Sequence, residues 1–148
     1  MTREEFIQIL NDKGYSYEIE GDKIVVTHEG SVDLESLKTL PPGVEFNNEG
    51  HVYLDSLKTL PPGVEFNNGR DVYLQSLETL PPGVEFKNKG DVDLRSLKTL
   101  PPGVVFKKGE NVYLDSLTGY WFYNWKGNIE GIDSNTLLNG MIKRGIFH

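Results

Sequence analysis

The stretch Ser36-Leu37-Lys38-Thr39-Leu40-Pro41-Pro42-Gly43-Val44-Glu45-Phe46-Asn47-Asn48 decides the fold, because it returns almost unchanged at 56–68 and 76–88, and again from Ser96 to Phe106. Working outward, Val32, Val52, Val72, Val92 and Val112 fall in one column, and Leu34, Leu54, Leu74, Leu94 and Leu114 in the next. Leu37, Leu57, Leu77, Leu97 and Leu117 make a third. A fixed step of this size is the mark of a solenoid, in which each unit buries its apolar face only against its neighbours.

Within one unit the spacing predicts two short strands. Val32-Asp33-Leu34 and Val44-Glu45-Phe46 both alternate apolar, polar, apolar, the period of a strand with one buried face. Between them Leu37 and Leu40 sit in a bend that Pro41-Pro42 ends, since proline has no N–H to give a ladder. Gly43 follows where the turn calls for positive φ. Asn47-Asn48 and Gly50 are read as a second corner of residues that tolerate left-handed turns. Val32, Leu34, Leu37, Leu40, Val44 and Phe46 are expected to point inward. The fold class is therefore mainly β: a parallel β-solenoid, a β-helix-like cylinder of about five 20-residue coils stacked about 4.8 Å apart. The alternative is a leucine-rich-repeat-like solenoid, whose Leu-x-x-Leu-Pro pattern Leu37-Lys38-Thr39-Leu40-Pro41 matches. The regular second strand around Val44 and Phe46 favours the β-solenoid.

Residues 1–148 are expected to form a single domain in three parts. In 1–23, Thr2 with Glu5 forms a capping box, and Phe6, Ile9 and Leu10 an apolar stripe on a short helix that Gly14 stops. A strand with Tyr15, Tyr17 and Ile19 then turns at Gly21-Asp22. The solenoid is expected over 24–118, with Ile24 and Val26 in the columns of Val44 and Phe46. In 119–148 the period gives way to Tyr120, Trp121, Phe122, Tyr123 and Trp125, read as a seal on the last coil, with an aromatic ligand-binding surface as the alternative. A final helix there carries Leu137, Leu138, Met141 and Ile142.

Net charge is −7, from 22 acidic and 15 basic residues, which disfavours direct contact with nucleic acid or an anionic membrane and suits a basic protein partner. There is no cysteine, so no disulfide or thiolate metal site is available. Met1–Glu5 lacks the apolar run of a secretion signal, and no segment approaches a membrane span. The expectation is a soluble, unprocessed, monomeric protein of a bacterial cytoplasm that needs no cofactor or metal.

Catalytic constellations are missing from the pattern. His28, His51 and His148 occupy unrelated repeat positions, and the serine column at 36, 56, 76, 96 and 116 has no His or Lys at a constant offset. No P-loop, dinucleotide-binding glycine motif or zinc spacing is present. A non-enzymatic protein is expected, a carboxylate-pair glycosidase being the least favoured alternative.

What remains is surface. The residues flanking Val and Leu on the first strand point outward: Asp33, Glu35, Asp55, Asp71, Asp91, Asp93 and Asp115, against one Arg95, with Tyr53, Tyr73 and Tyr113 between them. Glu45, Glu65 and Glu85 form a column on the second strand, near a column of Lys38, Lys58 and Lys98 expected to offset the charge. These thirteen acids and tyrosines are the candidate partner-binding residues. Rigid rows of carboxylate bind with little ordering entropy and resemble a phosphate backbone to a basic groove. The same rows also serve as a plain solubilising face.

The block Ser36–Asn48, with the ending Trp125-Lys126-Gly127-Asn128-Ile129-Glu130-Gly131-Ile132-Asp133 and Leu137-Leu138, resembles short repeat proteins of phages and mobile elements of gut bacteria. Some small acidic cylinders of this general kind are anti-CRISPR inhibitors of the type II-A effector Cas9. The resemblance implies a DNA-mimic-like blocker that occupies the basic channel of Cas9 or a similar nucleic-acid-binding protein. The other reading of the same residues is a structural or recognition module with no inhibitory role.

Overall fold

The computed structural model describes residues 1–101, 103–107, 111–116 and 128–130. Helix α1 (Arg3–Lys13) starts where the Thr2 hydroxyl accepts the Glu5 N–H at 3.1 Å and ends at Gly14, left-handed at φ 72. Phe6 and Leu10, one turn apart, are fully buried against the first coil, with Ile7 and Ile9 packed beside them. Strands β1 (Tyr17–Glu20) and β2 (Lys23–Val26) form an antiparallel hairpin across Gly21. Ile19 on β1 lies on the open side and is half exposed.

From β2 onward every pairing is parallel. One sheet continues from β2 through β4 (Val44–Phe46), β6 (Glu65–Phe66), β8 (Glu85–Phe86), β10 (Val105–Lys107) and β12 (Asn128–Glu130). The other stacks β3 (Val32–Asp33), β5 (Val52–Tyr53), β7 (Val72–Tyr73), β9 (Val92–Asp93) and β11 (Val112–Tyr113). Register follows the sequence step: Ile24 opposite Val44, Phe46 opposite Phe66, Val52 opposite Val72. The chain is thus a mainly β, parallel β-solenoid of about four full turns, preceded by a short N-terminal helix. About five coils were expected. Among the described residues no helix lies within the repeats, so a leucine-rich-repeat arrangement is not needed.

The core is a set of like-on-like stacks. Phe46, Phe66, Phe86 and Phe106 are nearly parallel, with centroids 5.4, 5.1 and 5.2 Å apart, all buried. Val32, Leu34, Leu40 and Val44 and their repeats are buried as expected, except Val112 in the last coil, which is partly buried. Leu57, Leu77 and Leu97 are fully buried, but Leu37 only partly, having a leucine neighbour on one side alone. Gly43, Gly63, Gly83 and Gly103 take φ between 79 and 81, a region closed to most side chains, which explains the Pro-Pro-Gly turn.

The second corner works differently from expectation. Gly50 has no positive φ; its need is proximity, since a Cβ there would stand 2.5 Å from the Ser31 nitrogen of the preceding coil. Asn48, Asn68 and Asn88 are buried rather than surface turn residues, at 1%, 1% and 2% exposure. The Asn68 amide donates to the Gly50, Arg70 and Asp71 carbonyls at 3.0, 3.2 and 3.1 Å, tying its own corner to the previous one. Asn48 and Asn88 repeat the arrangement.

At the far end, β12 pairs in parallel with β10 and sets Ile129 opposite Phe106. Stacking therefore extends past the expected boundary at residue 118, on a longer step. The aromatic seal at 120–125 and the helix at 137–142 lie outside the described residues.

Asn68→Ala removes three hydrogen bonds at once, although the Arg70 and Asp71 carbonyls keep the Gly90 and Val52 N–H groups, and should lower stability by about 1–2 kcal/mol in urea unfolding. Asn67→Ala, one residue away and exposed, should stay within about 0.5 kcal/mol.

Candidate protein-binding face

The five-stranded sheet side carries ten of the thirteen candidate residues in three rows. Register puts Asp33, Tyr53, Tyr73, Asp93 and Tyr113 in the central row. Tyr53 and Tyr73 stack at 5.0 Å, 3° from parallel. The Tyr73 hydroxyl donates to Asp71 Oδ2 at 2.9 Å. Burial first, and then that bond, push the Tyr73 phenol up to about 12, so it stays protonated at any ordinary pH. Tyr15 closes the open edge of the sheet, its hydroxyl accepting the Asp33 N–H at 2.9 Å.

Asp33 and Asp93 turn their carboxylates onto the N–H two residues ahead, at 3.1 and 3.2 Å, an Asx-type turn that closes the strand. Asp93 departs from the expected outward carboxylate. It is 5% exposed, held by Arg95 through Nε at 3.0 Å and Nη2 at 2.7 Å. That bond is the chief reason the Arg95 guanidinium is raised.

The row before it has a structural task that sequence reasoning missed. Ser31, His51, Asp71 and Asp91 each accept the backbone N–H of the residue 20 positions on, at 3.0, 3.2, 2.7 and 2.9 Å. These N–H groups belong to His51, Asp71, Asp91 and Asn111, and the side chains form a ladder beside the backbone one. The signal was available: Ser, His and Asp, the three residue types in this column, can each accept through the side chain. His51 Nδ1 accepts, so the ring proton is on Nε2, and its 3.5 Å approach to Asp71 Oδ2 is no ion pair in that tautomer. Ser31, His51 and Asp71 therefore do not make a nucleophile–base–acid relay, since Ser31 meets the His51 backbone and not its ring. A groove of about 710 Å³ runs along this flank, with Glu49 and Asp71 set against Arg70 and Lys89. Among the described residues, no three His, Asp or Glu side chains converge as a metal site.

The row after it holds Glu35, Asp55, Gln75, Arg95 and Asp115. Asp55 is the least comfortable acid of the face. Its Oδ1 is buried with no hydrogen-bond partner among the described residues. Burial first, then the charges of Glu35, Asp33 and Asp93, raise its carboxyl above the usual range, with Arg95 offsetting in part.

Glu45, Glu65 and Glu85 stand on the other sheet, apart from these rows. Glu45 and Glu65 share a hydrogen bond that raises Glu45 and lowers Glu65. Lys23 bridges both at 3.6 Å, and Lys87 meets Glu85 at 3.0 Å. The compensating cations are these two lysines; Lys38, Lys58 and Lys98 make no ion pair among the described residues.

Asp71→Ala removes the acceptor of the Asp91 N–H and should cost about 1–2 kcal/mol in urea unfolding, while Asp71→Asn keeps an acceptor and recovers most of it. A raised folded pKa makes Asp55 stabilising when protonated, a contribution lost as pH climbs through the folded value. Asp55→Asn should accordingly raise Tm at pH 7 and leave it unchanged near pH 3, read by circular dichroism melts at both pH values.

No protein-family model, curated protein or solved structure matches this chain.

Proposed function

We propose that this chain is a non-enzymatic binding module whose five-stranded-sheet face docks on a basic protein surface and there takes the place of nucleic acid. One contrast carries the reading. Acids on the opposite sheet have lysines of their own, whereas the binding face has seven carboxylates and a single guanidinium, which is engaged by Asp93. Asp55 in particular keeps a buried oxygen with no hydrogen-bond partner among the described residues and stands near other acids that Arg95 only partly offsets, a strain that an incoming cation would relieve.

The solenoid supports this role mechanically. Side chains that accept neighbouring backbone N–H groups are held in place before any partner arrives, so little entropy is lost on docking. Regular carboxylates on such a rigid column present a basic channel with charge of the sign and spacing order of a phosphate row. Cas9 bound to guide RNA is the target that the family resemblance implies, and the inhibitor reading follows from it.

A second reading, a recognition or spacer module, is favoured by one observation. Asp71 and Asp91 serve the fold directly, so part of the acidic row exists for stability alone.

The two separate in a DNA-binding assay with Cas9–guide RNA over a salt series. At low salt the wild-type chain should suppress DNA binding. Glu35→Gln with Asp55→Asn should weaken inhibition about 5–10-fold, whereas Glu18→Gln with Glu20→Gln, an equal charge change on β1, should alter it less than about 2-fold. No suppression with the chain in large excess removes Cas9 as target, and equal effects of the two pairs remove this face as the contact.

A further inference from the structure

The tyrosine row has one interruption. Asp93 stands in register between Tyr73 and Tyr113, in the position a ring occupies in the coils on either side. Tyr73 and Tyr113 are thus two coil steps apart, about 10 Å. Tyr53 lies 5.0 Å from one face of Tyr73. A flat group at the Asp93 level would meet the other face at about the same distance, within the range of aromatic and cation–π contact.

A concavity of about 330 Å³ opens there, between Tyr73 and Tyr113 and edged by Asp91, Asp93, Arg95 and Asp115. Asp93 lines it, nearly buried, with Arg95 holding its carboxylate through Nε and Nη2. The Tyr113 hydroxyl reaches back to Asp91 Oδ2 at 3.5 Å, so this ring spans the step toward the coil of Asp93.

The lining selects the occupant twice over. Three carboxylates against one guanidinium call for a cation, and two aromatic walls one ring apart call for a planar one. Arginine meets both conditions, whereas the ammonium of lysine is compact and strongly hydrated. A nucleobase is flat but arrives with phosphates that this face repels. Resting on the reading of the face as a basic-protein surface, we propose that the slot between Tyr73 and Tyr113 receives an arginine side chain of the partner. Its guanidinium lies between the rings and its edge N–H groups turn to the rim carboxylates.

The test uses the full chain and two fluorescent peptides, hexa-arginine and hexa-lysine, titrated by anisotropy at low salt. The wild-type protein should bind the arginine peptide about 5–10-fold more tightly than the lysine peptide. Asp93→Tyr completes the row with the residue three other coils carry, so the fold should hold, as a circular dichroism melt will verify. It should bring the two affinities together. Asp55→Asn, an equal loss of charge outside the slot, should weaken both peptides alike and keep the preference. Equal binding of the two peptides by wild type, or a preference that survives Asp93→Tyr, overturns the slot and leaves the acidic face standing. Binding of neither peptide overturns the face and the slot together.

Discussion

Everything in the repeats depends on one constraint: each repeat coil passes its backbone hydrogen bonds to the next in register, 20 residues on. Val32 donates to the His51 carbonyl, Val52 to Asp71, Val72 to Asp91 and Val92 to Asn111, all at 2.9 Å. A parallel ladder of this kind puts each side chain directly over its counterpart. The repeat is therefore a demand that like be able to stand on like.

For apolar residues the demand is easily met. A phenylalanine on a phenylalanine at just over 5 Å is a favourable contact, and four in a row make a continuous spine. Polar columns need a device, and the chain uses a different one in each. Buried asparagines turn sideways and bind carbonyls of two coils. The Ser31-to-Asp91 column points along the axis and accepts the next coil's N–H. Glutamates on the opposite sheet share a hydrogen bond and draw in Lys23 and Lys87. Asp93 takes Arg95.

Charge left over after these devices is concentrated around Glu35 and Asp55, and shape left over is the missing ring above Asp93. Both are departures from the repeat on an otherwise regular face. In a scaffold whose regularity serves stability, such exceptions are the natural places to look for recognition, because stacking alone does not require them.

Much of the fold was legible in the sequence. A strict period with two alternating triplets, a Pro-Pro-Gly corner and a capped first helix determine a parallel β-solenoid, its register and nearly all of its core, since those features are local or repeat exactly once per coil. The acids of the candidate face were legible as residues but not as roles. Whether Asp71 faces solvent or the Asp91 N–H, whether Asn68 lies in or out, and whether Asp93 is open or held by Arg95 depend on how closely two coils approach at a corner. Strand Asn128–Glu130 was likewise hidden, because its step differs from the repeat and only pairing with Val105–Lys107 reveals it. Sequence period sets which residues meet; the tertiary structure alone decides which of their polar atoms are satisfied, because hydrogen bonds are settled over a few tenths of an ångström that no spacing in the chain encodes.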